Sequence, residues 1–323
     1  MRFLGVFALS LLFFGCVQQA ADEDKAGMNV TGQPAKRTEF AGIGLSTNTA
    51  ISSVDLSQVL RGGPSRDGIP AIRKPKFTST ADASPTITPQ TLGIVIGEKE
   101  KRFYPYNILL WHEIANDVVD GEPVAVTFCP LCGSAIVFSR NVDGETLEFG
   151  VSGLLYQSNL LMYDNKTESL WSQVKGEAIV GDYTGKKLTL LGSSVMTFDG
   201  FSRQFPEGKV LSTDTGYSRD YSFNPYADYE ASEEVIFPIG DVPKKLPLKE
   251  LVFAVPVGDK VAVFPLEKLN TERQASLEID GRTLTVSVTD GTTTASVDGN
   301  EVPGYHAMYF SIASQEENVV IWK

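Results

Sequence analysis

Reactive side chains are scarce in this chain. Its 323 residues include only three cysteines and two histidines. A structural zinc ribbon, which needs two cysteine pairs, cannot be built from that supply, and neither can a multi-bridge disulfide framework. Positive charge is also short. Lys and Arg number 28 against 40 Asp and Glu, for a formal net charge of −12, and no basic run occurs. That balance argues against a nucleic-acid partner and against electrostatic docking on anionic lipid. Long apolar runs are missing beyond the first residues, where Phe3 to Phe14 is apolar apart from Gly5 and Ser10. The run is too short to span a bilayer as a helix, and no later stretch comes near the length required. No nucleophile elbow, Gly-rich phosphate loop or His-Glu-x-x-His helix appears, so a hydrolase reading lacks its motifs.

What the first residues do have is the form of an export signal. Met1-Arg2 supplies the positive start, Phe3 to Phe14 the apolar region, and Gly15-Cys16 ends it. A small residue followed directly by Cys resembles the lipobox of prokaryotic lipoproteins, with Phe13 standing where Leu is usual. The expectation is a signal over residues 1–15, a lipidated Cys16 and a flexible polar tether over 16–50. Residues 51–323 then form a single globular domain. The protein is expected to be exported and held to the membrane by its lipid, facing the periplasm or the cell exterior.

Within the body, short β-branched and aromatic runs alternate with turns: Gly93 to Ile96, Val124 to Phe128, Ala135 to Phe138, Thr146 to Val151, Lys187 to Leu191, Leu251 to Val257, Val261 to Phe264 and Arg282 to Val288. Asp-Gly turns at 120–121, 143–144, 280–281 and 298–299 separate several of them. Apolar spacing predicts one helix from Tyr106 to about Val118 and a second over Thr197 to Phe205. Alternating βαβ units are absent, which disfavours a nucleotide fold. The predicted class is β-rich α+β: a compact sheet or barrel-like body with a few short helices. An internal repeat covers 93–150 and 251–300. Arg102-Phe-Tyr-Pro105, Leu109, Asp120-Gly121 and Val124 to Phe128 are echoed by Ala262-Val-Phe-Pro265, Leu269, Asp280-Gly281 and Leu284 to Val288, at an offset of 160 residues from the proline onward. Trp111-His112-Glu113 and Cys129-Pro-Leu-Cys132 have no counterpart in the second copy, which reads Thr271-Glu-Arg273 and Thr289-Asp-Gly-Thr292. Packing residues recur; reactive ones do not.

The Cys129-Pro-Leu-Cys132-Gly133 knuckle is therefore the candidate site. Three chemistries fit it. Two thiolates, with His112 on the preceding helix as third ligand, suit a soft metal such as copper or zinc. The same pair could exchange thiol for disulfide, although no thioredoxin-like βαβ unit surrounds it. It could also be an inert bridge pinning a hairpin in a surface interaction protein. Haem attachment is excluded because Gly133, not His, follows Cys132. His306, the other histidine, lies in an aromatic C-terminal stretch that reads as core. Polar groups interleaved with leucines and aromatics mark candidate pocket residues Tyr156, Ser158, Asn159, Trp171, Gln173, Tyr217 and Asp220, or else an internal hydrogen-bond network.

Several of these stretches, in order, resemble the domain of unknown function 3179 family. They are Asp67-Gly-Ile-Pro-Ala71, Trp111-His-Glu-Ile-Ala-Asn-Asp117, Phe128-Cys-Pro-Leu-Cys-Gly-Ser-Ala135, Ser152-Gly-Leu-Leu-Tyr156, Asn159 to Asp164, Leu170-Trp-Ser-Gln173 and Gly216 to Tyr221. The resemblance spans about residues 60 to 322 and implies an exported prokaryotic protein, with no activity attached. The ending from Tyr305 to Trp322 is its looser part.

Overall fold

The Asp-Gly pairs fold as their chemistry demands. Asp120 and Gly121, Asp143 and Gly144, Asp280 and Gly281, and Asp298 and Gly299 all have positive φ and close two-residue hairpins. The computed structural model describes residues 42–323, and over that range the chain is β-rich α+β with helices of five to seven residues. The signal, Cys16 and most of the tether lie outside the described residues. Ile43 and Leu45, assigned to the tether, are buried against Val59, Leu154 and Leu161, so the packed body reaches back at least that far.

Four sheets larger than a hairpin organise the body, and none closes into a barrel. A seven-stranded sheet runs in the order Val319–Ile321, Lys260–Pro265, Leu251–Val257, Tyr305–Met308, Ser134–Ser139, Glu122–Cys129, Ile114–Val119. An antiparallel five-stranded sheet is built on the hairpin Phe149–Tyr156 and Asn159–Asp164, flanked by Val59–Arg61, Leu170–Ser172 and Glu177–Val180. These two sheets share one apolar core, in which Ala125, Cys129 and Ile136 meet Leu155, Leu160, Met162 and Trp171. The other two sheets centre on the hairpins Leu92–Ile96 with Arg102–Pro105, and Gln274–Ile279 with Arg282–Thr289.

The 160-residue offset is also a relation between elements. Arg102–Pro105, Tyr106–His112, Ile114–Val119 and Glu122–Cys129 end 160 residues before Lys260–Pro265, Leu266–Glu272, Gln274–Ile279 and Arg282–Thr289 respectively. The copies interlock. The seven-stranded sheet takes Ile114–Val119 and Glu122–Cys129 from the first and Leu251–Val257 and Lys260–Pro265 from the second, joined through Tyr305–Met308.

Three local expectations are corrected. The helix expected to reach Val118 stops at His112, because Glu113 turns to φ +55° and Ile114 to Val119 form a strand paired with Thr127 through Glu122. Sheet pairing overrides an apolar spacing that suited either state. Thr146 to Val151 is split between Glu145–Thr146 and Phe149–Tyr156. Lys187 to Leu191 makes only isolated bridges, Glu177 to Lys187 and Phe138 to Leu190. The second helix falls at Phe198–Gln204, with Thr197 capping it by accepting from the Gly200 N–H.

Candidate functional site

Strand Glu122–Cys129 hands the chain to a single 3-10 turn, Pro130–Cys132, which Gly133 ends in the left-handed region at φ +53°. Strand Ser134–Ser139 then returns, with Cys129 opposite Ser134. Proline presets φ at the first position of the turn. Side chains three apart in a 3-10 turn lie nearly over one another, so the local chain alone stacks the two cysteines. A Cβ at position 133 would come within 3.2 Å of Leu251 and 3.4 Å of Met308, and would also resist the φ. Both cysteines are free thiols, 1 % and 0 % exposed respectively.

The second wall of the site comes from the facing hairpin of the five-stranded sheet. Its turn residues Gln157 and Ser158 have φ +51° and +61°, left-handed values that side chains other than glycine adopt at a cost. That turn brings the Ser158 carbonyl to the Cys132 thiol, which donates to it at 3.2 Å. Asn159 Nδ2 lies 3.5 Å from the same sulfur. The Ser158 hydroxyl is buried and has no partner among the described residues.

Behind the sulfurs runs a satisfied amide network. Ser134 Oγ and Asn159 Nδ2 both donate to Gln173 Oε1, at 2.7 and 3.0 Å. Gln173 Nε2 donates to Thr127 Oγ1 at 2.9 Å, and the Val174 N–H donates to Asn159 Oδ1 at 3.0 Å. Three of the seven residues nominated for a pocket, Ser158, Asn159 and Gln173, are thus brought to the thiols. The other four are not. Trp171 donates to Asp164 Oδ2 at 3.0 Å within the core. Tyr156 pairs with Val59. Tyr217 and Asp220 are exposed, one beside the His112 ring and the other accepting from Ser222.

His112 does not reach the sulfurs. Its ring is buried with both nitrogens committed, Nδ1 to the Pro70 carbonyl and Nε2 to the Tyr221 hydroxyl, each at 2.7 Å. Burial lowers its pKa to about 4, against a smaller opposing effect of the Pro70 bond. Among the described residues no group of three His, Cys, Asp or Glu side chains is close enough together to hold a metal ion. The expected copper or zinc set of Cys129, Cys132 and His112 is therefore not assembled. The physical reason is the turn at Glu113: the helix ends at His112, and its imidazole is held by Pro70 and Tyr221 instead. His306, opposite Ala135 and Phe253 in the seven-stranded sheet, is elsewhere; its Nε2 is buried without a partner.

The groups that do surround the sulfurs include three that sequence reading passed over. Glu113 is 7 % exposed, and its carboxyl pKa lies well above the usual range because of burial, then the nearby Cys129 charge, against a hydrogen bond from Tyr226. Tyr229 donates its hydroxyl to the Leu131 carbonyl at 2.6 Å, in the middle of the thiol turn. Its pKa and that of Tyr226 are pushed up, first by burial. Tyr226 and Tyr229 lie on a mostly irregular segment interrupted by the helix Ala227–Ala231. Glu113 offered one signal, an acidic residue inside an otherwise apolar stretch; the tyrosines offered none.

Electrostatically the two thiols are driven apart. Burial would raise Cys129, but the neighbouring Cys132 side chain and hydrogen bonds from the backbone of Leu160, Cys132 and Leu131 outweigh it and lower its pKa. Cys132 goes well up, through burial and then the adjacent Cys129 sulfur and its charge. The arrangement can hold one thiolate beside one thiol.

The model for "Protein of unknown function (DUF3179)" matches residues 66–322. No curated protein and no solved structure matches. The match takes in both repeat copies, the thiol turn and the segment covering it, and on that extent the chain belongs to the DUF3179 family.

Proposed function

We propose that this is an exported thiol–disulfide redox protein in which Cys129 is the exchanging thiol and Cys132 the resolving one. The observation that carries the reading is the pair of free, buried thiols three residues apart on one 3-10 turn, Cys129 lowered toward the thiolate by its hydrogen bonds and Cys132 held toward the thiol. A thiolate is the attacking species in exchange. The co-reactant is a disulfide in a partner polypeptide. Cys129 sulfur attacks one partner sulfur and expels the other as a thiolate. Cys132, giving up its proton to the partner thiolate already expelled, then attacks the Cys129 sulfur and expels the second partner thiolate. The partner gains two electrons and the chain is left with a Cys129–Cys132 bridge. The lipobox-like Gly15-Cys16 supports a compartment in which such couples operate. Because both sulfurs are buried, exchange requires the segment carrying Tyr226 and Tyr229 to move aside.

The test is equilibration of the purified chain in graded thiol–disulfide buffers, followed by trapping of free thiols and mass measurement. A reversible two-electron transition, lost in Cys129→Ser and in Cys132→Ser, is expected. A pair that stays fully reduced or fully bridged at every poise found in export compartments would overturn the reading.

A further inference from the structure

We infer that Asn159 is the catalytic hydrogen-bond donor of the thiol pair: its Nδ2 steadies the negative charge that Cys132 carries whenever the Cys129–Cys132 bridge forms or breaks. The role rests on the redox reading above and extends it, whereas the bond itself stands without that reading.

The geometry fixes which atom faces the sulfur. The Val174 N–H can only donate, so the Asn159 atom it meets at 3.0 Å is Oδ1, and Nδ2 lies on the other side. From there Nδ2 reaches Gln173 Oε1 at 3.0 Å and Cys132 Sγ at 3.5 Å, one contact for each of its two hydrogens. Gln173 is oriented in the same way. The Ser134 carbonyl can only accept and lies 3.3 Å from Gln173 Nε2, so Oε1 is the atom turned to Asn159. Cys132 has one proton, and it goes to the Ser158 carbonyl at 3.2 Å. The sulfur is therefore the acceptor in its contact with Asn159. All three side chains, Cys132, Asn159 and Gln173, are buried.

The hairpin holds this donor in place. Asn159 follows directly on the turn residues Gln157 and Ser158 and pairs with Tyr156. The turn is anchored from outside: Gln157 Oε1 accepts the Gly240 N–H at 2.5 Å, and Nε2 donates to Gln58 Oε1 at 3.0 Å. A donor fixed in advance needs no reorganisation when charge develops beside it. A hydrogen bond to a charged group is also about twice as strong as one between neutral groups.

The step that uses it is clearest in reduction of the bridge by a partner dithiol with one thiol ionised. The partner thiolate attacks the Cys129 sulfur, the S–S bond breaks, and its electron pair leaves on Cys132. Cys132 is then a thiolate with the Asn159 N–H already aimed at it. It takes the proton of the partner's remaining thiol. That new thiolate attacks the partner sulfur joined to Cys129 and expels Cys129 as a thiolate. The chain gains two electrons and one proton, and the negative charge that began on the partner ends on Cys129. Oxidation passes through the same Cys132 thiolate in reverse, so a donor there speeds both directions.

Two measurements test this. The first titrates Cys132 by thiolate absorbance in a Cys129→Ser chain, with and without Asn159→Leu. Loss of the donor is expected to cut the Cys132 ionisation constant about tenfold. Loosened packing alone would admit water and raise it, and Gln173→Leu, which leaves the Asn159–sulfur contact in place, should not cut it. In the Cys129→Ser chain itself, an Asn159 side-chain amide proton should shift in nuclear magnetic resonance as Cys132 ionises. An unchanged or raised constant in Asn159→Leu, or an equal cut in Gln173→Leu, would overturn the inference. Should Asn159→Leu not fold, an amide proton indifferent to the titration would do the same. The second measurement follows reduction of the bridged wild type and of bridged Asn159→Leu by a reference dithiol. About tenfold slowing in the variant is expected, and equal rates would remove the catalytic role. A wild type that never bridges would overturn the redox reading and this role with it, while the titration would still report the bond.

Discussion

Tyr229 donates its hydroxyl to the carbonyl of Leu131 at 2.6 Å, tying the covering segment to the residue midway between the two cysteines. Lys249 reinforces the tie, with its Nζ 3.8 Å from the centre of the Tyr229 ring and donating to the carbonyls of Tyr229 and Ser232. A cover over buried thiols thus has an identifiable latch.

Tyr229→Phe keeps the ring and removes the latch bond. A buried hydrogen bond of this kind contributes about 1 kcal/mol net. If opening of the segment limits access, alkylation of Cys129 should quicken about fivefold while the fold is retained. Timed alkylation with mass detection, alongside urea unfolding, checks this. A rate that simply follows global unfolding would show that no separate opening exists.

Gln173→Leu addresses the network behind the sulfurs. The change removes the Gln173 bonds of Ser134 Oγ, Asn159 Nδ2 and Thr127 Oγ1, leaving the buried Ser134 hydroxyl without a partner while Thr127 still donates to the Ile136 carbonyl and Asn159 Nδ2 keeps the Cys132 sulfur. Orphaned buried groups cost more than the bonds themselves are worth net, so a loss of about 3 kcal/mol is expected. The urea midpoint measures it, and a change within about 0.5 kcal/mol would mean the network is not structural.

Cys129→Ser should lower the pKa of Cys132. The serine keeps a hydroxyl but removes the charge that helps hold the thiol proton on. Burial, the largest cause, remains, so the pKa should stay above the ordinary thiol range. Titration of thiolate ultraviolet absorbance in the variant reads the shift directly. A Cys132 that titrates no lower than in wild type would contradict the coupling.

Acid should destabilise the fold through its histidines. Burial brings both His112 and His306 to about 4 in the folded state, against an ordinary value near 6.5. As pH falls below 6.5 the unfolded chain binds protons that the folded chain refuses, so stability is lost from there down through about pH 4 and not further below. For the fully buried His112 this amounts to about 3 kcal/mol. His306→Leu, which removes an unpartnered buried nitrogen, should flatten this acid limb. Unfolding curves at stepped pH test both statements.

Much of the architecture was legible because short-range chemistry dictates it. Asp-Gly turns, strands such as Leu251–Val257 and the Thr197 cap follow from φ preferences and local hydrogen bonds. The stretch Ile114 to Val119 was misread for the converse reason: its spacing suits a helix, and only pairing with Glu122–Cys129 makes it a strand. Of the site, Ser158, Asn159 and Gln173 were found because polar residues among leucines need partners. Tyr226 and Tyr229 were not, since nothing in the sequence of a five-residue helix between loops says what it will pack against.

The sequence by itself determined that two thiols occupy one turn, three residues apart, in a chain with little else that is reactive. Pro130 and Gly133 see to that within a few residues. Which acid or imidazole would join them was decided by the tertiary structure alone. His112 and Glu113 are neighbours in the chain, and a single positive-φ residue at the helix end, whose carbonyl accepts from the strand leading to Cys129, keeps the imidazole with Pro70 and Tyr221 and away from the thiols.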